Sequence, residues 1–270
     1  MARLLSLMIA ALAVFALGCQ ESGFDESKET SKPLKVQHAL GEAKVPGQAK
    51  EPLTLTVDTL DDTLALDVRP ARAAVPDAKL PAYLRSAGRG VSLMRPVTAS
   101  DLPAVAAVHP DVILGSGSGQ GKLYDDLSRI APTVMTDGGG GQWKLNVRLI
   151  GEGLGRTNDA EQLLIDYDRE AAEARRAIQG RPSVAVARAT SAGLRFAPRD
   201  SFAGTILAAA GVKQVSDVDK ADAVLLSEGP HARAHVDHDF TRVDDELWWG
   251  DGGALAARAA LDDLTAALAR

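Results

Sequence analysis

"PDVILGSGSGQGKLYDDLSRIAPTV", Pro110 to Val134, decides the fold class. A short apolar run (Val112, Ile113, Leu114) leads into a glycine-serine loop that ends at Gly121-Lys122, and a helical pattern follows. "PTVMT" then reads as a second short strand. A strand, a helix and a strand in succession predict a parallel sheet flanked by helices.

The same grammar extends in both directions. Upstream, "LTLTVDT" (Leu53 to Thr59) alternates like a strand, and "LDDTLALDV" reads as a helix at Leu60, Leu64 and Val68. "ARAAV" is a short strand, and "ASDLPAVAAVHP" is a helix with Ser100 as its cap. Downstream, "TNDAEQLLIDYDREAAEARRAIQG" is rich in strong helix formers. Thr157 or Asn158 caps it, acids crowd its first turn, and Arg175-Arg176 stand near its end before Gly180. Such a helix is about 30 Å long. After it the pattern restarts with "SVAVARA" (strand), "SFAGTILAAAG" (helix), "ADAVLLS" (strand), "FTRVDDELWWG" (short strand and turn) and "GALAARAALDDLTAALAR" (closing helix). The fold class is therefore α/β, with two α/β lobes, 34–157 and 181–270, joined by a single long helix over 158–180.

The amino terminus points outside the cytoplasm. "MARLLSLMIAALAVFALGC" has Arg3, an apolar core from Leu4 to Leu17 and a small-residue ending, as a secretory signal does. Its apolar run is shorter than the roughly 20 residues of a membrane span. Cys19 is the single cysteine, so no intrachain disulfide can form. Its place after Ala16-Leu17-Gly18 looks like a bacterial lipobox, making residues 1–19 a signal with lipobox and Cys19 a lipidation site. The other reading is an ordinary signal or an uncleaved anchor with an incidental cysteine. Residues 20–33 are polar and without apolar periodicity, as in a flexible tether. A hydrophobic content of 46% and a charged content of 24% fit a globular chain. The net charge of −6 argues against a nucleic-acid partner, which would require a basic face.

Few motifs carry chemistry. A phosphate loop needs G-x-x-x-x-G-K-[ST]. Here Ser116 stands where the first glycine belongs and Leu123 where the hydroxyl belongs, so both ends fail. What remains is a polar loop at the carboxyl end of a parallel strand, where open α/β sheets place ligand crevices. Ser116 and Ser118 are candidate contacts there, with Gly115 to Gly119 supplying backbone freedom; the alternative is a solvated turn. In "HARAHVDHD", His231, His235 and His238 would share one face if helical and could hold a metal ion. A solvated connection is the competing reading, and no metal site is assigned. The acid pairs Asp61-Asp62, Asp125-Asp126, Asp244-Asp245 and Asp262-Asp263 read as solvated surface charge. No nucleophile elbow, zinc-protease motif or dinucleotide fingerprint occurs, so no enzyme activity and no resident cofactor are expected.

The blocks "VQHALGEAKVPGQ", "LTVDTLDDTLALDVRP", "LPAYL", "LPAVAAVHPDVIL", "YDDLSRIAPTV", "WKLNVRLIGEGLGR", "DSFAGTILAAAGV" and "DDELWWGDGGALAARAALDDL" follow one another over residues 36–268. In this order they resemble the iron-siderophore substrate-binding lipoproteins of bacterial ABC importers, relatives of the vitamin B12 and haem binders. The resemblance implies a ligand cleft between the two lobes, a ferric siderophore as ligand and a permease as partner. It also implies a monomer anchored by lipid on the outer side of the cytoplasmic membrane. Family ligands are often anionic, met by arginine and aromatic side chains. By position in the matching blocks, Trp143, Arg195, Arg199 and Trp248 or Trp249 are the leading ligand contacts, with Arg72 and Tyr83 behind them. The other reading of each tryptophan is a core anchor, and of Arg195 and Arg199 a surface charge. The sequence departs from the family where each lobe should carry a permease-docking glutamate. Pro103 stands at the first position, and no glutamate occurs in "VKQVSDVDKAD" after Gly211; Asp101 and Asp217 or Asp219 are shifted, shorter substitutes. Alternatives are a cobalamin, haem or other chelate binder of the same fold, an interaction or sensory lipoprotein, and, lowest in rank, a metal-site enzyme at the histidines.

Overall fold

Side chains that alternate along each strand sort both sheets into an inner and an outer face. The computed structural model describes residues 32–229 and 239–269. Cys19, tether residues 20–31 and the histidines 231, 235 and 238 lie outside the described residues. The chain opens with an antiparallel hairpin of β1 (Leu34–His38) and β2 (Gly41–Val45). The first lobe then runs through β3 (Pro52–Thr54), α1 (Val57–Ala65), β4 (Arg72–Ala74), β5 (Leu93–Met94), α2 (Leu102–Ala106), β6 (Val112–Ser116), α3 (Gly117–Gln120), α4 (Tyr124–Ile130), β7 (Thr133–Thr136) and α5 (Trp143–Leu154). Its sheet has the order β5-β4-β3-β6-β7, and every pair is parallel.

A single long helix, α6 (Thr157–Ala177), leads to the second lobe. There follow β8 (Ser183–Thr190), β9 (Gly193–Phe196), α7 (Phe202–Ala210), β10 (Lys213–Gln214), β11 (Ala223–Glu228), β12 (Thr241–Arg242), α8 (Asp245–Trp249) and α9 (Ala254–Leu268). Here the parallel order is β10-β8-β11-β12, and β9 folds back antiparallel on β8. The α/β class and its two lobes around one long helix are as the sequence predicts.

The core explains why the lobes hold together. Val112 and Leu114 of β6, Val184 and Val186 of β8, and Leu225 of β11 all face one shared cluster with α5, α6, α7 and α9. The intervening Ile113 faces a separate outer cluster of the first lobe, and Ala185, Ala187 and Leu226 face one of the second. Each sheet is thus buried on both faces, the usual state of parallel sheets. The turn from α5 into α6 depends on Gly155. Its φ is 68°, and a Cβ there would stand 2.0 Å from the Gly47 carbonyl oxygen. Only glycine fits both constraints.

Several boundaries differ from the sequence expectation for local chemical reasons. Helix α1 begins at Val57 because Thr56 and Thr59 form a reciprocal capping box, which converts "VDT" from strand to first helical turn. Thr98, not Ser100, caps the turn before α2: its backbone N–H donates to Asp101 at 2.9 Å. "DDELWW" forms a helix rather than a turn, because the Asp244 carboxylate accepts the Leu247 N–H at 2.9 Å. The glycine-serine loop is a helical turn, α3, and Gly115, Gly117 and Gly119 are absent from the positive-φ residues. The smallness of Gly115 serves packing: a Cβ would meet Met135 at 3.0 Å and Leu55 at 3.2 Å.

Candidate functional site

Six strand ends converge on one cleft. In the first lobe, Leu55 and Thr56 follow β3, Pro76 follows β4, Pro96 follows β5 and Gln120 follows β6. In the second lobe, Arg188 lies near the end of β8, and Asp245, Glu246 and residues 249–252 follow β12. The cleft has a volume of about 390 Å³ and is lined from both lobes. It opens at the carboxyl ends of parallel strands, where side chains from different loops can reach one ligand.

The second-lobe wall is built around Trp249. The Arg188 guanidinium lies 5.8 Å from its ring centroid and the Arg195 guanidinium 5.6 Å. Arg188 and Arg195 are direct cross-strand neighbours of β8 and β9, so their like charges face one another. The indole that both guanidiniums approach and an ion pair from Arg188 to Asp245 offset that repulsion. Ser227 donates to the other Asp245 oxygen at 2.9 Å and fixes the carboxylate.

The first-lobe wall is Tyr83 and the amino-terminal turn of α1. This helix is buried on every side: residues Asp58 through Leu64 are all enclosed. Asp58 lines the cleft while only 5% exposed. Asp61 and Asp62, 0% and 1% exposed, stand behind it. Their reading as solvated charge is corrected here. Asp61 accepts the N–H groups of Leu255 at 2.7 Å and Ala256 at 2.9 Å, and Asp62 accepts that of Ala254 at 3.0 Å. The two carboxylates cap the amino terminus of α9, where free N–H groups and the helix dipole favour negative charge. Burial still dominates. It raises the Asp58 and Asp62 carboxyls above the ordinary range and pushes Asp61 up to about 7, against the pull of its two backbone bonds. Burial and the adjoining Asp61 charge raise the Tyr83 hydroxyl as well.

The residues singled out in the sequence divide between the cleft and other places. Tyr83 and Trp249 line the cleft, and Arg195 stacks on Trp249. Trp143 is 1% exposed in the core and donates to the Thr205 hydroxyl at 3.2 Å. With Arg199 it borders a second cavity of about 430 Å³ that shares no residue with the cleft. Arg199 itself donates to the Gln214 carbonyl. Trp248 is 1% exposed and donates to Asp263, which places it in the core rather than the cleft. Arg72 starts β4 outside the cleft lining, and Ser116 and Ser118 bond each other at 2.8 Å behind Gln120. The His231, His235 and His238 cluster lies outside the described residues.

Arg188, Asp58 and Gln120 went unnoticed in the sequence. Arg188 had a readable signal: it continues the phase of Val184 and Val186, the core-facing side of β8, so a cation was due between the lobes. Asp58 gave none, because an acid in a first helical turn is ordinary.

A family model described as "Periplasmic binding protein" matches residues 68–234. The chain belongs to the periplasmic binding protein family. Among its relatives in this family is the Bacillus subtilis (strain 168) protein named "Probable siderophore-binding lipoprotein YfiY", 29% identical over 212 residues. That match covers 77% of this chain but 65% of the relative's own length. The "Iron-uptake system-binding protein" of the same organism is 24% identical, over 90% of this chain and 80% of its own. Among solved structures, Staphylococcus aureus SirA complexed with staphyloferrin B superposes with a TM-score of 0.72 at 22% identity, covering 87% of this chain and 98% of SirA. The periplasmic binding protein fold thus accounts for both lobes and for the cleft between them.

Proposed function

We propose that the protein is an extracytoplasmic substrate-binding protein that captures a ferric siderophore for an ABC importer and catalyses no reaction. The observation that carries this reading is the cleft between the lobes. Its volume lies in the range of small-molecule sites, it is lined from both lobes, and it is furnished with two aromatic side chains, Tyr83 and Trp249, that can meet apolar faces of a bulky ligand. Relatives named for siderophore binding and iron uptake support it.

In this reading residues 1–19 are the signal with its lipobox, Cys19 carries the lipid, and residues 20–33 tether the lobes to the outer face of the membrane as a monomer. The residues considered as permease contacts are engaged locally: Asp101 accepts from Thr98, and Asp217 pairs with Lys220 at 2.7 Å.

Titration of the soluble protein with a panel of ferric chelates, followed by quenching of tryptophan fluorescence, tests capture. Saturable quenching by one chelate, lost in Trp249→Ala, is expected; no saturable quenching by any would overturn the reading. Unimpaired siderophore-dependent iron uptake in a strain lacking the protein would overturn the importer role.

A further inference from the structure

The charge of the cleft separates the chelates it can hold. Among its described lining residues, carboxyl groups outnumber cations four to two: Asp58, Asp245, Glu246 and Asp251 against Lys79 and Arg188. The cations are less available than the count suggests. Arg188 is tied to Asp245 and lies against Trp249, and Lys79 sits at the exposed rim. Arg195 is an exposed cation behind the indole and outside the lining. Asp58 has the opposite situation. It is 5% exposed, lines the cleft, and has no cationic partner among the described residues. Asp251 lines the same cleft from the other lobe, and Asp61 and Asp62 are buried on the same helix as Asp58. Among the described residues, the most deeply buried ionisable groups around the cleft are therefore acids.

An interaction with a buried carboxylate is screened far less than one at the rim. A polyanionic chelate entering this cleft would meet Asp251 and gain nothing from Asp58, and Arg188, the cation that the described residues place on the opposite wall, is already paired with Asp245. A chelate carrying an ammonium would favour the ionised form of Asp58 that burial disfavours, and would supply the cationic partner it lacks among the described residues.

We infer that the cleft selects a ferric chelate bearing a cationic group, received by Asp58 and Asp251, over a polyanionic chelate. This rests on the capture reading above and narrows its ligand class. The family resemblance, which implies anionic ligands, leads to the reverse expectation.

Three ferric complexes separate the possibilities by tryptophan quenching. They are ferrioxamine B, a trihydroxamate with a free ammonium; its N-acetyl derivative, the same chelate without that charge; and the trianionic tris-catecholate of enterobactin. Ferrioxamine B should bind about tenfold tighter than the acetylated form and tighter still than the tris-catecholate. Asp58→Asn should erase the difference between the two hydroxamates while both still quench saturably, which reports that the cleft is intact. Asp251→Asn, at an exposed position, should narrow the same difference in part. Equal binding of the two hydroxamates, or tighter binding of the tris-catecholate, would overturn the inference and leave capture standing. No quenching by any of the three, or by the wider panel, would remove the capture reading and this inference with it.

Discussion

The Asp61 carboxylate accepts a 2.7 Å hydrogen bond from the backbone N–H of Leu255, 194 positions along the chain. With the bonds from Ala254 to Asp62 and from Ala256 to Asp61, it makes the last helix of the second lobe depend on the first helix of the first. The aspartates belong to α1, which forms the wall of the cleft, so anchoring α9 also fixes the wall.

Gly253 is the residue before α9, and a Cβ there would stand 2.6 Å from Asp61 Oδ1 and 2.7 Å from Asp62 Oδ1. Gly253→Ala should therefore destabilise the protein by about 1–3 kcal/mol through overpacking. Asp61→Ala should do so by a similar amount, by leaving two buried N–H groups unpaired. Thermal denaturation measures both, at roughly 2–4 °C per kcal/mol for a chain of this size. A melting temperature unchanged in either variant would mean that the cap does not hold α9.

Asp58, Asp61 and Asp62 all have raised carboxyl pKa values, caused first by burial. The folded protein thus binds more protons than the unfolded chain from the ordinary aspartate range up to about 7 and beyond. Stability contributed by these groups is complete at the acidic end of that window and declines as pH rises through it. The melting temperature should be higher near about pH 5.5 than near about pH 8.5, with Asp62→Asn flattening the slope. Asn keeps an acceptor for the Ala254 N–H and removes the buried charge. A slope of the opposite sign in the parent protein would contradict this account.

Adjacent tryptophans should behave oppositely. Trp249→Ala removes a cleft wall between two arginines and should abolish chelate-dependent quenching with little loss of stability. Trp248→Ala empties a core position and should cost about 3–5 kcal/mol. Chemical denaturation of each variant beside its chelate titration tests the split, and equal stability losses would refute it.

Arg188→Gln leaves Asp245 half-buried with only Ser227 for a partner, and adds one uncompensated negative charge to the cleft. Affinity for ferrioxamine B should hold or rise in this variant, while affinity for a tris-catecholate should fall further. A rise for the tris-catecholate would contradict the role given to Arg188 in balancing Asp245.

Strand and helix order was legible because parallel sheets demand apolar runs: "DVILG", "PTVMT", "SVAVARA" and "ADAVLLS" correspond to β6, β7, β8 and β11. The two lobes and the long helix follow from that order. Hairpin β1–β2 and strand β9 were not legible, since both carry mixed polar sequences held by their neighbours. The site was legible only in part. Tyr83 and Trp249 stand on the cleft, whereas Trp143 and Trp248 were indistinguishable from them by residue type and lie in the core. The Asp61-Asp62 pair misled because local sequence cannot show that the N–H groups it faces come from residues almost two hundred positions later.

The reliance of α1 on α9 also sets the order in which the chain can mature. Until Ala254, Leu255 and Ala256 have been synthesised and have come into place, Asp61 and Asp62 have no donors there, and water must solvate them. Burying two carboxyl groups without those donors is less favourable than burying them with the bonds made. A chain cut before Ala254, although it holds every strand of the first-lobe sheet, should therefore pack α1 less firmly than the full-length protein does.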